Sequence, residues 1–159
     1  MANVDIKNLE KYLLNCLTRA VDVAAEDALK KLTDYIQKNW YNSYDPKNYK
    51  RTYDFLQSAS KTETTQNGKD SVKCLIYFDR SKIKARFYGK GQLNPHASFS
   101  GADVSESIPA WVERGHNFIG RGYEQLGSMD AMFDYLEKNF AKMVQKELKK
   151  MGLQVKVVS

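Results

Sequence analysis

From Leu9 onward the apolar residues recur at spacings of three and four: Leu9, Leu13, Cys16, Leu17, Ala20, Ala24, Ala28, Leu32, Tyr35 and Ile36. One face of an α-helix carries that spacing. The pattern predicts a helix over about residues 9–39 with Asn8 as its N-cap, roughly 46 Å long at 1.5 Å per residue. A single domain of this length has a radius of gyration of roughly 15 Å, so the helix must cross it or project beyond it. Ala20, Ala24, Ala25 and Ala28 narrow its waist. Another element can approach closely there, either a wrapped sheet or a neighbouring subunit.

Asp45-Pro46 stops this helix, because the residue before a proline is pushed out of the helical region. Trp40, Tyr41, Tyr44, Tyr49 and Tyr53 crowd around that stop. A short second helix starting near Asn48 would carry Tyr49, Tyr53 and Leu56 on one face. Tyrosine offers a large contact area and a polar tip, which suits a surface that packs while staying partly wet. Two readings stand side by side, a helix–helix corner stapled by aromatics and a protein docking surface.

The remaining order reads as α+β, with a long N-terminal helix and a C-terminal helix packed on a small, mostly antiparallel sheet. Val4 and Ile6 alternate with polar residues as a short edge strand, and KTETTQNGKDS reads as a polar loop. Val72, Cys74, Ile76 and Phe78 would pair with Ile83, Ala85 and Phe87 as a hairpin turning at Arg80-Ser81. Residues 89–107 form a long glycine-containing loop of the kind that is usually functional or disordered. IPAWVERG is a short helix or strand end closed by Gly115, and a glycine-rich link follows. Met132, Phe133, Leu136, Phe140, Met143, Val144, Leu148 and Met151 mark a second long helix, ended by Gly152, with LQVKVV as a last strand. No repeat or linker divides the chain, so residues 1–159 are expected to be a single domain.

Composition excludes several classes. With 42% apolar and 12% aromatic residues the chain is folded rather than disordered. No apolar run approaches the roughly 18 residues that span a bilayer, so no membrane partner is expected. The acidic, h-region-free start does not read as a signal peptide. Cys16 and Cys74 read as small core hydrophobes in a reduced compartment. Histidines occur only at 96 and 116, without HExxH or paired cysteines, so metal and cofactor sites are expected to be none and no enzyme activity is expected. Net charge is +6 without a block of five like charges. Lys138, Lys142, Lys146 and Lys150 nevertheless recur every fourth residue, either as a solvated face or as a ridge toward phosphates or an acidic neighbour.

Arg51, Thr52, Leu56 and Ser58 after an alanine-waisted helix, and Ala110, Val112, Glu113 and Gly115 in PAWVERGHN, form a layout that resembles the small neck or tail-completion proteins of tailed bacteriophages. The resemblance implies a non-enzymatic virion protein that assembles with itself as a ring, typically a hexamer. Its partners would be the adjacent connector and tail-tube proteins. It implies the virion neck or tail as location, and the host cytoplasm during assembly. Trp40, Tyr41, Tyr44, Tyr49, Tyr53, Leu93, Phe99, Trp111 and Glu113 are the candidate interface residues. Lys82, Lys84, Arg86, Lys138, Lys142, Lys146 and Lys150 form the candidate basic face, with transient contact to genome DNA in the channel left open. The competing class is a basic nucleic-acid-binding protein or a small RNase-like toxin.

Overall fold

Alanines at 20, 24, 25 and 28 are all buried, and the helix that carries them, α1, runs unbroken from Ile6 to Ile36. The structure, a computed structural model, describes residues 6–43, 53–84, 108–115, 117–118, 121–122 and 125–156. The elements after α1 are α2 (Asp54–Ser58), β1 (Ala59–Lys61), β2 (Thr65–Gln66), β3 (Val72–Lys73) and β4 (Ile76–Phe78). Then come α3 (Ile108–Arg114), β5 (Asn117–Phe118), β6 (Arg121–Gly122) and α4 (Ser128–Lys150). The class is α+β, as expected. The residues group into two compact units, one of Met1–Lys30, Lys61–Ile76 and Met132–Ser159, the other of Lys31–Ser60 and Tyr77–Ala131.

In the first unit Cys16 and Ala20 pack with Leu148, and Leu17, Val144, Met151, Leu153 and Val155 close over them. The Tyr135 hydroxyl donates to the Asp27 carboxylate, so α1 and α4 run antiparallel. Gly152, at φ +83°, turns the chain out of α4. The N–H of Gly152 donates to Lys149 C=O (3.0 Å) and that of Leu153 to Leu148 C=O (3.1 Å). This is a Schellman close with its usual apolar contact, Leu153 on Leu148. Residues 153–156 are therefore not the strand expected of LQVKVV: Leu153 and Val155 pack on the α1–α4 seam, and the Gln145 amide holds Val155 C=O at 2.8 Å.

Arg80-Ser81 is not a two-residue hairpin turn, and Ala85 and Phe87 of the expected second strand lie outside the described residues. Asp79 accepts from Ser81 N–H (3.1 Å) and Ser81 Oγ (2.6 Å), which winds Arg80–Lys82 into a 3₁₀ turn. Val72, Cys74, Ile76 and Phe78 do share the inner face, alternating with exposed Lys73, Leu75 and Tyr77. The partner of β3, β2, lies in the segment expected to be a loop. β3 pairs with β2 antiparallel, Gln66 opposite Val72, and β4 pairs with β1. Asn67 N–H donates to Ser71 C=O at 2.8 Å to close the turn through Gly68. Thr62 N–H bonds Leu75 C=O (2.9 Å) while Thr65 faces Lys73, a one-residue register offset that marks a bulge between the two pairings.

Four smaller expectations change. Helix α1 starts at Ile6, so Ile6 is not in an edge strand and Asn8 is not a cap. After Ile36 the helix widens into a π-helical turn, Gln37–Tyr41, whose closing bond runs from Asn42 N–H to Gln37 C=O at 2.9 Å. The link after Gly115 contains a minimal hairpin, β5 with β6, Phe118 opposite Arg121. Of the helix expected from Asn48, residues 48–52 lie outside the described residues, and α2 starts at Asp54 with Tyr53 preceding it rather than on its face. Asp45-Pro46 and residues 89–107 lie outside the described residues.

Candidate functional site

The aromatic corner belongs to the second unit. Tyr41 is 7% exposed and Tyr53 38%, and their rings stack at 4.6 Å with an interplanar angle of 24°. Tyr53 reaches that stack at φ +60°, a left-handed conformation that costs a non-glycine residue about 1–2 kcal/mol. Below it Phe55 stacks on Phe78 at 4.8 Å, and Leu32, Ile36 and Ile83 are buried. Ser58 is fully buried, its hydroxyl donating to Phe55 C=O (2.7 Å) and its carbonyl accepting from Asp79 N–H (2.7 Å). Trp40 is half-buried. The described part of the corner is thus both packed and wet, as a tyrosine surface permits. Tyr44, Tyr49, Leu93 and Phe99 lie outside the described residues, as do Arg51 and Thr52 of the RT..L..S segment.

Glu113 has a structural duty that sequence reasoning did not assign. Helix α4 begins after Gly127, which sits at φ +62° and has no side chain to cap the orphan donors of the first turn. Glu113, at the end of α3, supplies the cap instead. Its carboxylate accepts from Met129 N–H (2.9 Å) and from the Ser128 hydroxyl. Leu126 N–H donates to Val112 C=O at 3.0 Å, which holds the two segments together beside the cap. Trp111 is half-buried on the same short helix.

The basic residues separate into two settings. Lys82, in the second unit, donates to Ser60 Oγ at 2.8 Å and sits 3.9 Å from Asp79, while Lys84 is exposed with its N–H on Asp54 (3.0 Å). Arg86 lies outside the described residues. In the first unit Lys138, Lys142, Lys146, Lys149 and Lys150 are all exposed on α4. Lys142, Gln145, Lys146, Lys149 and Lys150 line an open groove of about 440 Å³.

A buried-rim ion pair, also in the first unit, was not visible in the sequence. Asp22 on α1 accepts from Lys61 Nζ (2.6 Å) and Thr64 Oγ1 (2.7 Å), with Glu26 3.9 Å from the same ammonium. The Lys61 side chain is only 17% exposed. The hydrogen bond from Lys61, then that from Thr64, holds the Asp22 carboxyl below its ordinary pKa, and the same bond to Asp22 raises that of Lys61. No local pattern links residues 22, 61 and 64. The Tyr135 hydroxyl is likewise pushed up, chiefly by its bond to Asp27.

Large apolar side chains stand exposed on the first unit: Leu9, Tyr12 and Leu13 on α1, and Phe133 (57%) and Phe140 on α4. At 100° per residue Leu9, Tyr12 and Leu13 continue the face that Cys16 and Ala20 bury further along. An open cleft of about 410 Å³ lies beside them, lined by Glu10, Leu13, Leu14, Leu17, Lys69 and Asp70. Among the described residues no cluster of histidine, cysteine, aspartate and glutamate could hold a metal, and no helix is long and apolar enough to cross a membrane. His96 and His116 lie outside the described residues.

One protein-family model, YomN, matches residues 5–158. No curated protein and no solved structure matches the chain.

Proposed function

The chain belongs to the YomN family, a phage-derived family of the SPbeta-prophage type, and from that premise we propose that it is a structural protein of the virion neck or tail end. In this reading it forms a ring, six-fold by resemblance, that completes the tail and joins it to the head, and it performs no catalysis. The observation that carries the proposal is the family match across residues 5–158, because it makes the phage setting a property of the whole fold. The neck-protein layout quoted above supplies the finer step.

The exposed surface supports the same reading. A head-to-tail ring needs two different patches on each subunit, closing by rotation. Leu9, Tyr12 and Leu13 on α1 are one apolar set, and the Tyr41–Tyr53 corner is a chemically different one with polar tips. Exposed apolar side chains gathered in this way are typical of a surface that is covered on assembly. The partners are then further copies of the chain and the connector and tail-tube proteins on either side.

The test is genetic and visual. Deleting the gene from a phage or inducible prophage that carries it should give filled heads and separate tails under the electron microscope, and a plasmid copy should restore joined particles. Mass spectrometry of purified wild-type virions should find the protein in a fixed, ring-like copy number. Normal joined particles from the deletion, or virions lacking the protein, would overturn the proposal.

A further inference from the structure

Helix α4 sorts its charges by side. At 100° per residue Lys138, Lys142, Lys146, Lys149 and Lys150 fall within an arc of about 120°. Asp130, Asp134, Glu137 and Glu147, the acidic residues of the helix, all lie outside that arc. Lys150 pairs with Glu147 at 2.7 Å, whereas Lys138, Lys142, Lys146 and Lys149 form no ion pair among the described residues.

The arrangement works against the helix itself. Lysines at i and i+4 repel, and 138/142, 142/146 and 146/150 are all such pairs. The helix dipole rewards cations only in the last turn, so it compensates neither Lys138, which has Asp134 four residues before it, nor Lys142, which has no acid at that spacing. A merely solvated face would be relieved by mixing signs. Gln145, on the groove, binds Val155 C=O at 2.8 Å, and no acidic side chain among the described residues lines the groove.

The chemistry of the ridge selects the ligand. Lysine is a point charge without the planar fork that reads base edges or grips one carboxylate in two places. The one amide on the groove, Gln145, is already used within the fold. Protein interfaces are centred on apolar anchors and depleted in lysine, and here Phe133 and Phe140 project from the opposite side of α4. A row from Lys138 to Lys150 is about 18 Å long at 1.5 Å per residue. That matches the rise of about five phosphates along one strand of a duplex. We infer that the α4 ridge is a sequence-independent binding surface for the phosphate backbone of duplex DNA. The inference stands on charge and geometry, and does not depend on the ring reading.

Fluorescence anisotropy of the purified full-length protein with a labelled 30-base-pair duplex tests it. Four to five phosphate contacts give a slope of log K against log salt of about −3.6 to −4.5, a weakening of about 150- to 500-fold between 50 and 200 mM KCl. The variant K138Q/K142Q/K146Q/K149Q should lose most of that slope and bind at least about 50-fold more weakly at 50 mM, with its helix content unchanged. A charge-matched control, K11Q/K38Q/K69Q/K73Q, changes exposed lysines elsewhere and should bind within about threefold of wild type. Scrambling the duplex sequence should change little. Equal loss in both variants would reduce the effect to net charge and overturn the proposal. So would absence of binding at 50 mM, or binding to polyglutamate as tight as to the duplex, which would assign the ridge to an acidic protein.

Discussion

Glu113→Ala separates two roles for one residue, because a cap stabilises the free subunit while an interface side chain does not. The substitution removes the acceptor of Met129 N–H and of the hydroxyl on Ser128, a fully buried residue. Losing an N-cap acceptor costs about 1 kcal/mol. A buried hydroxyl left without its partner costs about 1–3 kcal/mol. The lost negative charge at the positive end of α4 adds about 0.3–1 kcal/mol. These contributions overlap, so the expected total is about 2–4 kcal/mol. For a chain of this length that corresponds to a fall in Tm of about 4–16 °C. Urea and thermal unfolding of the isolated protein, followed by circular dichroism at 222 nm, read it directly. Glu113→Gln keeps an acceptor for Met129 and should cost only about 1 kcal/mol. A double-mutant cycle with Ser128→Ala should return a coupling of about 0.5–3 kcal/mol. Glu113→Ala within about 0.5 kcal/mol of wild type, with head–tail joining abolished, would refute the cap and return Glu113 to the interface.

Three further outcomes are expected. Tyr53→Gly should be more stable than Tyr53→Ala by about 1 kcal/mol, since both lose the stack on Tyr41 but only glycine is unstrained at φ +60°; the reverse order in chemical denaturation would contradict that backbone geometry. Asp22 has a lowered pKa in the folded state, so its contribution is present above the unfolded carboxyl value of about 4 and is lost as pH falls through the folded pKa. Stability measured from pH 6 downward should therefore flatten in Asp22→Asn, and an unchanged acid limb would rule out the Lys61 and Thr64 bonds as its source. Phe133→Ser with Phe140→Ser should leave the free subunit folded, because both rings are already exposed, while reducing incorporation into particles; a large loss of Tm would place those rings in the fold instead.

Periodicity was enough to read α1 and α4, because an amphipathic helix writes its buried face into spacings of three and four regardless of what covers it. The alanine waist, the alternation of Val72, Cys74, Ile76 and Phe78, and the stops at Gly115 and Gly152 were legible for the same reason: each is a local rule about sterics or register. Asn67-Gly68 carried a legible turn signal too, and the polar composition of KTETTQNGKDS masked it. A two-stranded ribbon with an exposed side can be built from threonine and serine when its partner strand supplies the apolar face.

Partner choice is a different kind of information. The strand at 72–78 pairs back with 58–66, and one side chain, Asp79, winds the three residues after it into a 3₁₀ turn. Glu113 became a cap because Gly127, fourteen residues later, left the start of α4 without one of its own. Asp22 met Lys61 and Thr64 across about 40 residues of chain. Periodicity along a helix or strand is set by local backbone geometry, so the sequence by itself determined the amphipathic elements and most of their ends. Hydrogen-bond and charge partners are set by which segments pack together, so only the tertiary structure decided what Glu113, Asp22 and Asp79 do.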